Sequence, residues 1–153
     1  MHIEHSLCII EHKERCSTML LTQTRPSEIN LHSTEARSAL AKMIIKLFTR
    51  WELSTSDQLE LLGLSPKSRG LLAKYAKGEA LPEGRDSLDR VGFLLAIHKS
   101  LRLLYPYNPE IRYSWVNRRN TAFNNLTPLT VMKEQGIIGL ARVARYLDYY
   151  RGL

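Results

Sequence analysis

The chain has 153 residues, 44% of them hydrophobic and 24% charged, which is typical of one globular domain or of two small ones that share a core. Its net charge of +7 permits an anionic partner, either nucleic acid or an acidic protein face. Two cysteines give no disulfide framework, no apolar run approaches the about 20 residues of a membrane span, and the start does not resemble a signal peptide. We therefore expect a cytoplasmic protein with no membrane association.

The first 32 residues give the weakest structural signals. We interpret residues 1–32 as a poorly ordered arm or a loosely docked segment, with Met19 as an alternative natural start. Histidine and cysteine recur there at intervals that could place zinc ligands on one helical face: His5, Cys8, His12 and Cys16. The flanks lack the glycine-containing turns common in zinc modules. We therefore expect a surface helix or an artefact of the assigned start, with no metal and no cofactor.

Regular helix signals begin at Ser33, a favourable N-cap residue that is soon followed by the acidic Glu35. Apolar residues then recur at helical spacing as far as Trp51. Ser54-x-x-Asp57 resembles a capping box with Asp in place of Glu, and it opens a short helix that Gly63 closes. The sequence therefore predicts two helices in succession.

The next predicted helix opens at Ser65-Pro66 and ends at Gly78, and with its predecessor it has the length and the tight turn of a helix-turn-helix. Lysines on its outward stripe can neutralise DNA phosphates, whereas Ser68 and Arg69 are better suited to reading bases. We predict DNA contacts from five residues: Lys67, Ser68, Arg69, Lys74 and Lys77. The alternative is an ordinary solvated helix face.

A long helix should follow, from a cap at Asp86-x-x-Asp89 to about Tyr105, where Pro106 and Pro109 stop it. Apolar residues fall nearly all round this helix, which predicts a central and buried position. His98 lies among them. We expect it to be a buried, hydrogen-bonded histidine rather than a catalyst.

Short helices complete the predicted fold. One covers residues 111–116, another opens at Thr127-Pro128 and breaks at Gly136, and the last runs from about Ile137 to Tyr150. No strand pattern occurs, so we predict an all-α helical bundle with a helix-turn-helix-like N-terminal part. The sequence contains no nucleophile elbow, P-loop or zinc-protease motif. We therefore expect a protein that is not an enzyme and has no small-molecule substrate.

The last third of the chain contains a colinear series of short motifs. They are Trp115, Asn120, Phe123, Pro128-Leu129, Met132, Gly136, Leu140, Val143 and Tyr146-Leu147-Asp148. The series continues upstream in Asp89-Arg90, Leu94-Leu95, Ile97-His98-Lys99, Leu101, Leu104 and Tyr105-Pro106. This order resembles the C-terminal toxin-binding domain of the Xre/MbcA/ParS antitoxin family. The family usually has Phe-Gly-Gly where this chain has Phe123-Asn124-Asn125.

The resemblance implies an antitoxin of a type II toxin–antitoxin system. It implies an Xre-like helix-turn-helix domain, which we place at residues 33–90, and a toxin-binding domain, at residues 91–153. It also implies a cognate toxin of the RES or ADP-ribosyltransferase-like class, which consumes or uses NAD and whose active site this domain would occlude. Operator DNA and a homodimer are further implied partners. The alternative is a stand-alone helix-turn-helix transcriptional regulator.

Ten residues are predicted to form the toxin-binding site. Those expected to shape the domain are Asn120, Phe123, Pro128 and Leu129. Those expected to contact the toxin are Tyr146, Asp148, Tyr149, Tyr150 and Arg151, with Arg145 beside them. Tyrosine and arginine are enriched at the energetic centres of protein interfaces. The alternative is that the apolar stripe of this helix is core and its arginines are solvated.

Overall fold

The computed structural model describes residues 30–153, so the His5–Cys16 pattern and the predicted arm up to residue 29 lie outside the described residues. Seven α-helices are described: α1 (Thr34–Arg50), α2 (Thr55–Leu62), α3 (Arg69–Lys77), α4 (Arg85–Leu104), α5 (Pro109–Ser114), α6 (Pro128–Glu134) and α7 (Gly136–Arg151). Three short 3-10 turns join them, at Pro66–Ser68, Trp115–Asn117 and Thr121–Phe123. Residues 30–153 contain no strand, and the predicted all-α fold is confirmed.

The predicted capping signals of α1 and α2 are confirmed. The hydroxyl of Ser33 accepts a hydrogen bond from the Ala36 amide at 3.1 Å, and that of Ser54 accepts one from the Asp57 amide at 3.1 Å. Gly63 ends α2 in the left-handed conformation, with φ of 68°. Gly63 therefore marks the start of the turn that leads from α2 to α3.

Two helix starts differ from the prediction. Pro66 begins a 3-10 turn rather than an α-helix, and the α-helical hydrogen bonding of α3 starts at Arg69. The N-cap of α4 is Gly84, so Asp86 is not the cap but lies in the first turn. Its carboxylate accepts a hydrogen bond from Arg90 Nε at 2.8 Å. Acidic residues stabilise the first turn of a helix through the helix dipole without being caps. The acidic pattern therefore indicated the first turn of α4 and not its N-cap.

One continuous core joins the two halves of the molecule. α4 packs mainly against α7, α6 also packs on α7, and α1 packs on α3 and α4. The fully buried residues Trp51, Phe48 and Leu94 belong to this core, as do Val143 and Leu147 of α7. α4 is therefore central, as predicted.

The prediction that α4 is buried all round is wrong. Its residue Leu103 is 55% exposed, and Leu88, Phe93 and Leu95 are only partly buried. A helix at the centre of so small a bundle contacts neighbours on part of its circumference, so the remaining apolar residues face outward. The hydrogen bond expected at His98 is also absent at its Nδ1, which is buried without a partner among the described residues.

An ion pair links the first half of the molecule to the second. Lys133 Nζ of α6 lies 2.5 Å from the Asp57 carboxylate and 3.5 Å from that of Glu60, both in α2. Burial would raise the pKa of Asp57, but hydrogen bonds from Lys133 and Ser54 outweigh it and lower that pKa. The predicted boundary between residues 90 and 91 falls within α4 and stays a prediction.

Candidate functional site

A groove runs along the outer face of α7, and we call it the α7 groove. It has a volume of about 680 Å³ and is lined by Ala122, Phe123, Ile138, Ala141, Arg142, Arg145, Tyr146 and Tyr149. Ile138 is 72% exposed and Tyr149 is 64% exposed, so two large apolar side chains stand at its rim. Arg142 and Arg145 lie between them on the same helix face and are also exposed. The groove therefore offers two positive charges between exposed apolar side chains.

Aromatic rings pack around Tyr146, which lines the α7 groove together with Phe123. The Tyr146 ring lies 5.0 Å from Phe123, 6.2 Å from Trp115 and 4.7 Å from Tyr150, measured between centroids. The guanidinium of Arg142 lies 5.5 Å from the centroid of the buried Phe123 ring, a cation–π arrangement. Aromatic packing of this kind holds both the rings and Arg142 in place, which lowers the entropy lost when a partner binds.

Hydrogen bonds to Asn120 stabilise the loop that contains Phe123. The side-chain oxygen of Asn120 accepts from the Ala122 amide at 2.9 Å, and its backbone carbonyl accepts from Phe123 and Asn125. Asn124 and Asn125 have φ of 55° and 60°, in the left-handed region. Asparagine tolerates this region better than most residues other than glycine. The Asn-Asn pair therefore fills the place of the usual Gly-Gly with compatible backbone geometry.

The remaining predicted residues of this region divide into core and surface. Pro128 is buried and Leu129 is partly buried at the start of α6, consistent with a role in shaping the domain. Asp148 is exposed and pairs with Arg151 at 2.8 Å, while Tyr150 is 48% exposed. Their predicted contact with a toxin stays a prediction.

Sequence reasoning missed Ala122, Ile138, Ala141 and Arg142 as groove residues. A helical period alone assigned the apolar residues of α7 to the core, and Ile137-Ile138 gave no sign of which isoleucine faces outward. The signal that could have found the groove is the spacing of Ile138, Arg142, Arg145 and Tyr149 on one helix face.

A second candidate surface, which we call the α3 face, lies on α3 and on the 3-10 turn that precedes it. Leu72 and Tyr75 are buried, so α3 packs on the core through the side that carries them. The residues predicted to contact DNA lie on the outer side: Lys67, Arg69, Lys74 and Lys77 are exposed, and Ser68 is partly buried. Lys74 also lies 3.9 Å from the Glu79 carboxylate, which sequence reasoning missed. That contact reduces the charge available to a phosphate at this position.

Both halves of the chain match known protein families. Residues 31–96 match the antitoxin Xre-like helix-turn-helix domain, and residues 100–152 match the antitoxin Xre/MbcA/ParS C-terminal toxin-binding domain. The chain belongs to this antitoxin family. It is also 36% identical over 108 residues to the uncharacterized protein y4oB of Sinorhizobium fredii, an overlap of 70% of this chain and 80% of that protein.

Membership of the family confirms several predictions. The chain combines a helix-turn-helix domain with a domain that binds a protein toxin, and a family of such domains is not enzymatic. No helix between residues 30 and 153 is long and apolar enough to cross a membrane. The α7 groove lies within the matched toxin-binding domain, and the α3 face lies within the matched helix-turn-helix domain.

Proposed function

We propose that the chain neutralises a cognate toxin of the RES or ADP-ribosyltransferase-like class by covering its active-site cleft with α7 and residues 149–153. The observation that supports this proposal best is the α7 groove, which lies in the toxin-binding domain and exposes Ile138 and Tyr149 beside two arginines. Arginines can pair with carboxylates on the surface of a partner protein, and apolar side chains can exclude solvent from the mouth of its cleft.

Inhibition in this proposal is steric and electrostatic, with no chemistry performed by the antitoxin. Tyr149, Tyr150 and Leu153 expose large apolar areas at the end of α7, with Leu153 84% exposed. Burying them against a partner contributes about 1.5–3 kcal/mol for each side chain that is fully covered. Arg142 and Arg145, which form no ion pair within residues 30–153, supply the charges that orient the toxin surface, whereas Arg151 shares its charge with Asp148.

A co-expression experiment tests the toxin partner. The tagged full-length chain is expressed with the product of the adjacent reading frame, and NAD loss caused by that product is measured with and without this chain. We expect a stable complex in which NAD loss stops. A variant that lacks residues 149–153 should keep its helicity and lose most of its protection, whereas full protection by this variant would contradict the proposed role of that segment.

We further propose that the complex represses its own operon through the α3 face. Lys67, Lys74 and Lys77 would contact phosphates, while Ser68 and Arg69 would read bases. Each lysine that contacts a phosphate makes the slope of log K, the DNA-binding constant, against log salt concentration steeper by about 0.9. Changing Lys67 or Lys77 to Ala should flatten the measured slope by that amount, and Lys74→Ala by less because of Glu79. An unchanged slope in all three would contradict this face.

A homodimer is the third part of the proposal. An outward-facing apolar groove between α1 and α4, lined by Leu40, Leu88, Phe93 and Ala96 among others, is compatible with pairing of two copies. A dimer would also suit a two-fold symmetric operator. Light scattering of the full chain tests this part, since a monomer at all concentrations would contradict it.

A further inference from the structure

A second cleft between α1 and α4 plays no part in the proposals above. It has a volume of about 230 Å³, and we call it the α1–α4 cleft. It is lined by Met43, Lys46, Leu47, Arg50, Leu95, His98 and Arg102. Three of these residues are permanently cationic at neutral pH and none is acidic. The cleft therefore concentrates positive charge without a lining carboxylate.

The cations of the α1–α4 cleft are not neutralised by neighbouring residues of the described chain. Within residues 30–153, Lys46, Arg50 and Arg102 take part in no ion pair. Like charges that converge on one concave surface repel one another and raise the local potential, which attracts anions. Repulsion among these cations destabilises the unliganded cleft, and a bound anion would relieve it.

Further positive charge lies behind the cleft. Arg50 donates a hydrogen bond to the hydroxyl of Tyr113, and the guanidinium of Arg112 lies 5.7 Å from the same ring. His98 stacks on Tyr113 at 5.8 Å, and its buried Nδ1 has no hydrogen-bond partner among the described residues. Burial lowers the pKa of His98, and Arg102, Arg50 and Arg112 lower it further. The protonation of the His98 imidazole therefore depends on the electrostatic potential of the cleft.

A row of cations connects the cleft to α3. Lys42, Lys46 and Arg50 follow one another at intervals of four residues on α1, all exposed. They lie on one side of the helix over an axial length of about 12 Å. At the other end of the row, a Cβ placed on Gly78 would lie 2.5 Å from Lys42 Cε, so this lysine touches the end of α3. The row of cations therefore extends from the C-terminal end of α3 to the cleft.

We propose that the α1–α4 cleft binds a phosphate group through Lys46, Arg50 and Arg102, and that DNA backbone outside the α3 contact is its source. Guanidinium groups suit this ligand, because their paired N–H groups match two phosphate oxygens. The assignment of DNA as the source rests on the proposed DNA binding by α3. Phosphate binding itself does not, since a small phosphate compound tests it alone.

The direct test is a titration of the labelled full-length protein with inorganic pyrophosphate, followed by NMR of the histidine side chains at low ionic strength. The signal of His98 is assigned by its loss in His98→Gln. We expect saturable shifts of this signal and a rise in the pKa of His98, because the bound anion offsets the potential of the arginines. Arg102→Gln should weaken pyrophosphate binding about tenfold.

A matched control is Arg119→Gln, which removes the same charge from another exposed arginine that forms no ion pair within residues 30–153. It should bind pyrophosphate as the unchanged protein does. A His98 signal that does not respond, or that responds equally in Arg102→Gln and in the unchanged protein, overturns the proposed site. Lys46→Gln repeats the test at a second cation of the cleft, whereas substitution of Arg50 would also remove its hydrogen bond to Tyr113.

Salt dependence of duplex DNA binding then distinguishes the two sources of phosphate. If the DNA backbone occupies the cleft, Arg102→Gln flattens the slope by about 0.9, whereas Arg119→Gln leaves it unchanged. An unchanged slope in Arg102→Gln overturns the DNA source and leaves a free phosphate compound as the ligand of the cleft. If none of the lysine substitutions on the α3 face changed the salt slope of DNA binding, the proposed repressor function would be contradicted. The pyrophosphate result would still stand.

Discussion

The α7 groove and the α3 face are both exposed and both positively charged, yet they differ in what surrounds the charge. In the α7 groove, arginines lie among exposed apolar side chains and above packed aromatic rings. On the α3 face, lysines and one arginine stand on a short helix whose apolar residues, Leu72 and Tyr75, are buried beneath it. The first arrangement suits a protein surface, and the second suits a phosphate backbone.

This difference predicts different responses to salt. Binding through the α3 face should weaken steeply as salt rises, because it depends on the release of counterions from DNA. Binding through the α7 groove should change less, because burial of Ile138 and Tyr149 is not screened by ions. The two surfaces can therefore be separated experimentally within one chain.

The largest expected effect concerns the scaffold of the α7 groove. A Cβ placed on Gly139 would lie 2.3 Å from the Val131 carbonyl oxygen, so α6 and α7 touch where only glycine fits. Gly139→Ala should lower the free energy of unfolding by about 3 kcal/mol, measured by chemical denaturation. Gly92→Ala is the control: no atom lies within 4 Å of its added Cβ, so it should be neutral or stabilising. Equal stability of both variants would contradict the close packing of α6 on α7.

A smaller effect concerns the ion pair between α6 and α2. Lys133 is 28% exposed and Asp57 is 19% exposed, and Lys133→Gln should cost about 1 kcal/mol of stability at neutral pH. Lys99→Gln, which alters an exposed lysine with no ion pair among the described residues, should cost less. Thermal or chemical unfolding measures both variants.

The pH dependence of the Lys133→Gln effect has a definite sign. The folded protein lowers the pKa of Asp57 below its ordinary value of 3.8, so the stabilisation is present above that pH and disappears as pH falls through the lower folded value. The ion pair also raises the pKa of Lys133 above 10.5, so its contribution is lost only at strongly alkaline pH. The unchanged protein and Lys133→Gln should therefore become equally stable in acid. A constant difference down to low pH would contradict this account.

Local sequence signals predicted the helices well. Contacts between residues that are far apart in the sequence could not be predicted. Ser33, Ser54 and Gly63 act within a few residues, so their roles follow from the sequence around them. The ion pair of Lys133 with Asp57 joins residues 76 positions apart, and no periodicity indicates it. The outward position of Ile138 depends on how α7 rotates against α4, which is settled by packing of the whole core. For this reason the resemblance identified the family, while the groove required the structure.

The measurement that tests the central claim most directly is the affinity of Ile138→Glu for the toxin produced by the adjacent reading frame. Leu103→Glu is the control, since it places the same charge at an exposed leucine of α4 that does not line the α7 groove. We expect Ile138→Glu to bind the toxin about a hundredfold more weakly, which corresponds to about 2.7 kcal/mol. Leu103→Glu should bind the toxin normally, and Ile138→Glu should keep its affinity for DNA. Unchanged toxin affinity in Ile138→Glu would contradict the assignment of the α7 groove as the toxin-binding surface.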